Sequence, residues 1–260
     1  MTDNVLRWEC DRSVDFVAKY HQYYIDGRRI KNPSVTGLIS LLYPPFSAKN
    51  VLARKYPRKS MNERKEIYLQ WQNTGKLGTL LHAYIEDYIK GRHCCVEKSV
   101  ANEFYMFLRF YITNVQENLV KCRSEHVVWS PKHLVCGSVD FIYQDNAGKY
   151  HLIDWKRCDK VDDTAYGRLV HPFADLPASK VTKFSLQLNI YKYMYESHYN
   201  IKIDSMRVAV FHGSNKDYQV IDVPNLQDEA SQILEMARTL ALKYKPVHDQ
   251  IKKEDRDTFV

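Results

Sequence analysis

Residues 135–156 read VCGSVDFIYQDNAGKYHLIDWK. Two runs rich in Val, Ile, Phe, Tyr and Trp flank the turn formers at 144–149, which predicts two β-strands joined as a hairpin. Side chains alternate along a strand, so Leu152, Asp154 and Lys156 share one face, while Ile153, Trp155 and Arg157 share the other. A strand this apolar is substantially buried, and an acid and an amine at its centre are costly unless paired or used. A hairpin closing symmetrically about Ala147 sets Asp140 opposite Asp154, with Cβ atoms roughly 4.5–5.5 Å apart. A loop one residue longer shifts that register by one place. Two carboxylates this close repel each other unless a cation lies between them. Mg²⁺ takes one or two carboxylates together with waters and phosphate oxygens, which is what such a pair offers. Lys156, on the same face, adds a positive charge that can hold a phosphate or an attacking water. The alternative is a structural ion pair in which Lys156 neutralises Asp140 or Asp154.

Outward from the hairpin, residues 125–129 form a further β-rich run. Upstream the pattern is helical. Leu81, Tyr84, Ile85 and Tyr88 recur at i, i+3, i+4 and i+7, which predicts an amphipathic helix over 78–90 stopped by Gly91. A second long helix is expected over 101–119. Earlier still come a hairpin over 21–30 turning at Asp26-Gly27, a helix over 35–42 opened by Pro33-Ser34, a basic helix over 48–56 and another over 61–74. Downstream, residues 158–183 have little periodicity. They precede a helix over 184–199, strands over 206–212 and 217–223, and a last helix from Asn225 to Tyr244, with Pro246 after it. The order predicts an α/β fold with a mixed central sheet flanked by helices and an N-terminal helical extension. No repeat or Gly/Ser linker divides the chain. Residues 1–260 therefore read as one domain: an N-terminal helical part over 1–76, a core over 77–223, and a C-terminal helix and tail over 224–260.

The formal charge of +7 is compatible with a nucleic-acid partner. Its distribution says more: Lys49, Arg54, Lys55, Arg58, Lys59, Arg64 and Lys65 crowd one segment opposed only by Glu63 and Glu66. That segment is either a solvated helix face or a contact for a phosphate backbone, with Arg54, Lys55, Arg58 and Lys59 as the candidates. No run of about 18 apolar residues predicts a membrane span, and the first eleven residues lack the apolar stretch of a signal peptide. Six cysteines, none in a C-x-x-C pair, fit free thiols in a reducing intracellular compartment and have the wrong spacing for an iron–sulfur cluster.

Several separate motifs then converge. Gly137-Ser138-Val139-Asp140, followed by Leu152-Ile153-Asp154-Trp155-Lys156, resembles the G-x-x-D…(D/E)-x-K centre of the PD-(D/E)XK nuclease superfamily, whose core is restriction-endonuclease-like. Gly78, His82 and Glu86, spaced four apart, resemble the helical histidine motif of its RecB-like branch, and Gln187-x-x-x-Tyr191 resembles that branch's Q-x-x-x-Y motif. Pro33 to Gly37 resembles an N-terminal element of mitochondrial genome-maintenance exonucleases and of phage and large-DNA-virus nucleases, and the stretch from His171 to Tyr191 is most similar to the large-virus members. For a viral chain the compartment would be the nucleus or cytoplasm of an infected cell.

The resemblance implies a Mg²⁺- or Mn²⁺-dependent deoxyribonuclease with one or two ions. By that resemblance it would be an exonuclease acting on single-stranded or end-containing DNA, in repair or recombination. Asp140 and Asp154 would be the metal carboxylates, the Trp155 backbone carbonyl a further ligand, and His82 a residue facing the metal. Glu86 or Glu125 would be an outer ligand; a helix salt bridge explains Glu86 as well, and a strand-end surface acid explains Glu125. Lys156 would orient water or stabilise charge, with Gln187, Tyr191 and Lys183 near the phosphate. Two other readings stay open: a structure-specific endonuclease, and a catalytically idle nucleic-acid-binding module on the same fold. Trp129 and Trp155 read as core, and Arg157 as structural.

Overall fold

The computed structural model describes residues 5–17, 20, 22–30, 33–159, 161, 164, 165 and 167–243. The hairpin at 135–156 is its centre. Strands β4 (Leu119–Ser130), β5 (Val135–Asp145), β6 (Tyr150–Lys156), β7 (Ile203–Val210) and β8 (Gln219–Asp222) form one sheet in sequence order. Only β6 and β7 run parallel, and their crossover carries helix α5 (Lys180–His198), as a parallel connection requires. The β5–β6 ladder pairs Phe141 with Ile153 and Gln144 with Tyr150, the register of a hairpin symmetric about Ala147. Asp145 accepts from the backbone N–H groups of Ala147 and Lys149 and closes the turn.

Each face of the sheet is covered. On one side pack α1 (Val35–Leu41), α5 and α6 (Gln227–Lys243), around Val139, Leu152, Val208 and Leu186. On the other lie α3 (Met61–Ile89) and α4 (Ala101–Tyr111). There Trp155, 1% exposed, meets Phe107, Phe110, Phe141 and Phe211 at centroid separations of 5.6–6.1 Å. This arrangement is an α/β restriction-endonuclease-like core. An aromatic side chain that deep is worth several kcal/mol on truncation, about 3–5, so Trp155 anchors the strand that carries Asp154 and Lys156.

The structure differs from the sequence reading at several elements. The helices expected over 61–74 and 78–90 are one helix, α3, opened by a capping box between Ser60 and Glu63. It runs through Gly75 and Gly78, each of which costs a helix roughly 1 kcal/mol against alanine, and through the division drawn at 76/77. The helix expected over 101–119 ends at Tyr111, relaxes into a π-turn (Ile112–Gln116) and gives way to β4. Strand β4 is therefore far longer than residues 125–129. The N-terminal portion is not only helical. Strands β1 (Val14–Val17), β2 (Gln22–Ile25) and β3 (Arg28–Arg29) form a small antiparallel sheet, whose β2–β3 turn places Asp26 and Gly27 at positive φ as an Asp-Gly hairpin does. The remaining basic helix is α2 (Ala48–Lys55). Helix α5 begins four residues before its expected start, because Ser179 caps it by accepting from Thr182 N–H. The expected end of the last helix at Tyr244 and Pro246 lies outside the described residues. Among the described residues no helix is long and apolar enough to cross a membrane.

Candidate active site

Asp140 and Asp154 occupy facing positions one step beyond the last paired residues of β5 and β6. The ladder stops there because the Asp140 carboxylate replaces a strand carbonyl: its Oδ2 accepts from the Trp155 backbone N–H at 2.8 Å. The backbone of β5 also rotates at this point. Val139 packs into one core and Phe141 into the other, although residues two apart share a face in a regular strand. Opposite, Glu125 interrupts β4 with φ 48, between the pairs Ser124–Phe141 and His126–Val139. The register is the same on both sides, so no residue is inserted; the left-handed backbone at Glu125 alone turns its side chain toward Asp140.

Helix α3 supplies the fourth group. His82 Nε2 lies 3.0 Å from the Trp155 carbonyl oxygen, so it carries the proton and donates. Its Nδ1 then faces Glu125 Oε1 and Asp140 Oδ2, each at 3.7 Å. One ligand atom each from His82, Glu125 and Asp140 fall within 4.8 Å of one another. Burial works against a charged imidazole, but Asp140 and Glu125 outweigh it and push His82 up to about 9. A bare Nδ1 lone pair between two carboxylates is repulsive, and two things relieve it: a second proton on the ring or a metal ion.

Asp154 is 1% exposed. Burial pushes its carboxyl up and Asp140 adds to this, against the pull of Lys156. Lys156 is itself pushed up, because Asp154 and Asp140 outweigh its own burial. The two tendencies point to opposite charge states for Asp154. The 2.5 Å contact between Lys156 Nζ and Asp154 Oδ2 decides for the ionised pair. That contact meets Oδ2 alone and off the ideal hydrogen-bond direction, while the buried Oδ1 has no partner among the described residues. A buried oxygen left without a donor costs roughly 1–3 kcal/mol. An unpartnered Oδ1 beside a second carboxylate, a third and an imidazole belongs to a hard O/N donor set that fits a divalent cation.

Gln187 and Tyr191, on α5, complete the wall. Gln187 is hydrogen-bonded to Tyr191, whose phenol is held protonated by burial and then by Asp140. The Tyr191 ring edge and hydroxyl press against β5: a Cβ built on Gly137 would meet its Cε1 at 2.7 Å and its oxygen at 2.9 Å. This close approach accounts for glycine in Gly137-x-x-Asp140. Lys183 sits one helical turn before Gln187, half-buried against the Tyr43 ring. Burial and the charge of Lys156 lower its ammonium.

The structure thus brings together Asp140, Asp154, Lys156, His82, the Trp155 carbonyl, Gln187, Tyr191 and Lys183. It brings Glu125 to His82, inside a strand rather than at the surface end of one. Glu86 is elsewhere, paired with Lys90 on its own helix. Arg54, Lys55, Arg58 and Lys59 lie on α2 and the turn after it, with no hydrogen bond or ion pair to the site; Lys59 pairs with Glu63. Gly78 is not needed for packing, since an added Cβ would meet Arg157 Cβ at an ordinary 3.9 Å. Arg157 points away from the site into a buried ion pair with Glu103 at 2.7 Å.

No family model matches the sequence, and no curated protein matches it. Among solved structures, SSO0001 aligns over 82% of this chain and 77% of its own, at 15% identity and a TM-score of 0.34. A candidate exonuclease from Eubacterium rectale aligns over 71% of this chain and 75% of its own, at 12% identity and a TM-score of 0.41. At these identities and TM-scores neither likeness bears on the chemistry of the site.

Proposed function

We propose that the protein is a metal-dependent nuclease that hydrolyses DNA phosphodiester bonds, acting as an exonuclease on single-stranded or end-containing DNA. One observation carries the reading: the facing carboxylates of Asp140 and Asp154, the second with one buried oxygen unpartnered, adjoin His82, Glu125 and the ammonium of Lys156. Asp140 is the shared member, with His82 and Glu125 on one side and Asp154 and Lys156 on the other.

Asp140, Asp154, Glu125, His82 and the Trp155 carbonyl would hold Mg²⁺ or Mn²⁺, which when bound supplies a Lewis acid for the phosphate and lowers the pKa of bound water. The protein's own groups do the rest. The Trp155 N–H fixes one Asp140 oxygen and leaves the other free. Glu125 is steadied by the Ser138 hydroxyl at 3.0 Å. Lys156 stays cationic between two carboxylates and lies against the Phe184 ring, poised to stabilise charge on the transferring phosphate. Lys183 adds a second cation at the start of α5, where backbone N–H groups also favour an anion. Tyr191 stays neutral and can donate its proton to a phosphate oxygen.

The test is digestion of end-labelled single- and double-stranded DNA, linear and circular, with Mg²⁺ or Mn²⁺, by the wild type and Asp154→Asn. Metal-dependent loss of linear DNA alone, abolished in the variant, supports the exonuclease. Cutting of circles makes it an endonuclease. Binding without cutting by either protein sinks the enzymatic reading.

A further inference from the structure

The N-terminal two-thirds of α3 stands away from the core: no residue from 61 to 80 is buried, and the first buried side chain is Leu81. Beside it lie α2 and the turn before it, where Phe46 is 73% exposed with its ring centroid 6.5 Å from that of Trp71. Tyr68, one turn before Trp71, is also exposed. Around these rings the charge is positive. Lys49, Arg54, Lys55, Arg58 and Lys65 have no ion pair with a carboxylate among the described residues, while Lys59 is met by Glu63. Arg64 is spent on the Tyr56 and Pro57 carbonyls, which ties α3 to the turn after α2.

The helical repeat joins this surface to the site. Trp71 and His82 are eleven residues apart, so they differ by only about 20° around the axis and by about 16 Å along it. Gly75 and Gly78 lie between them on the same face. A Cβ on Gly75 would meet nothing within 4 Å, and one on Gly78 only Arg157 at 3.9 Å. Packing within the protein therefore explains neither glycine, and the helix is bare from the aromatic pair to the histidine that faces Asp140.

We propose that this arm is a binding surface for an unpaired nucleic-acid strand, whose bases stack on Phe46 and Trp71 and whose backbone crosses the bare face at Gly75 and Gly78 toward Asp140. A partner that satisfies exposed rings and unpaired cations together must offer π faces and regularly spaced negative charge. An unpaired strand does so, whereas a duplex keeps its bases stacked inside. The direction of the path toward Asp140 rests on the nuclease reading; the stacking surface does not.

The test is binding without cleavage. The full chain in EDTA is titrated into fluorescein-labelled oligothymidylate or into a duplex, and anisotropy is read for the wild type, Phe46→Ala/Trp71→Ala and Gly75→Leu. The double variant is expected to weaken oligothymidylate binding by roughly 10-fold or more and duplex binding far less. Gly75→Leu, which removes a helix-weakening residue in open space, is expected to be no less heat-stable than the wild type and to bind oligothymidylate more weakly.

Unchanged single-strand affinity in both variants overturns the proposal. So does equal loss for strand and duplex, or a wild-type dimer in sedimentation that the double variant abolishes, which makes the arm a self-association face. Because no metal is present, a protein that shows the single-strand effect but never cuts DNA keeps this surface and loses only the nuclease reading.

Discussion

Replacing Gly137 by alanine adds one methyl group, and its consequences follow from three distances. The new Cβ would lie 2.7 Å from Tyr191 Cε1, 2.9 Å from its oxygen and 3.0 Å from Val35 Cγ2. Gly137 has no positive φ, so the backbone accepts alanine, and in a strand this change ordinarily stabilises by roughly 0.5–1 kcal/mol. The contacts reverse the sign. Tyr191 is 2% exposed and Val35 is fully buried, so neither can swing into solvent, and overpacking of this kind costs roughly 1–3 kcal/mol. The net expectation is a loss of about 1–2 kcal/mol. Tyr191→Ala alone should cost about 3–5 kcal/mol as a buried aromatic truncation. In that background the two tightest contacts are gone and only Val35 Cγ2 at 3.0 Å remains, so Gly137→Ala should cost far less. Urea unfolding of the four proteins, with unchanged m-values, gives the coupling, expected at about 1–2 kcal/mol. Additive effects, or a Gly137→Ala protein as stable as the wild type, would refute the claim that Tyr191 seated on β5 fixes that glycine.

Three further outcomes are expected. Arg157→Met strands the Glu103 carboxylate, 3% exposed; it should cost about 3–5 kcal/mol by thermal or chemical unfolding, and Glu103→Leu on top should restore most of it, whereas a still weaker double variant contradicts the pairing. Glu125→Gln should weaken Mn²⁺ binding by roughly 10-fold or more in calorimetry, while Glu86→Gln, whose side chain serves Lys90, should leave it unaltered; the reverse order would return Glu86 to the site. Acidification should loosen residues 5–13. Burial holds the His126 imidazole below its ordinary 6.5, and its Nε2 bonds Asp11 at 2.8 Å. Asp11 is also pulled down, since His126 and Arg123 outweigh its own burial. Both folded values lie below the unfolded ones, so the stabilisation is complete above about pH 6.5 and is lost as pH falls. Hydrogen exchange of this segment, corrected for intrinsic rates, should quicken between pH 7 and 5, and unchanged protection would contradict it.

Much of the fold was legible because the hairpin obeys local rules. Turn formers at 144–149 and strict alternation in β6 set the register that faces Asp140 with Asp154, and no distant contact was needed to read it. For Glu125 the sequence leaves two readings open, for the opposite reason. It sits inside a strand that begins at Leu119, and its left-handed φ, at a step where the β4–β5 pairing is skipped, turns it toward His82. No periodicity encodes that. Helix α3 reads as two segments because apolar periodicity is clear only from Gly78 onward; in the structure a capping box at Ser60 opens the helix and the burial of Leu81 and Ile85 anchors its far end. Glu86 falls on the motif by spacing, yet a lysine one turn later claims its carboxylate.

The central claim is that Asp140 shares one divalent ion with its neighbours. The direct measurement is an anomalous difference map from a crystal soaked in manganese. The expected result is a strong peak at coordination distance, about 2.1 Å, from the Asp140 carboxylate and from Asp154 or the His82–Glu125 pair. A map with no peak there, or with the manganese bound only at other surface acids, would contradict it.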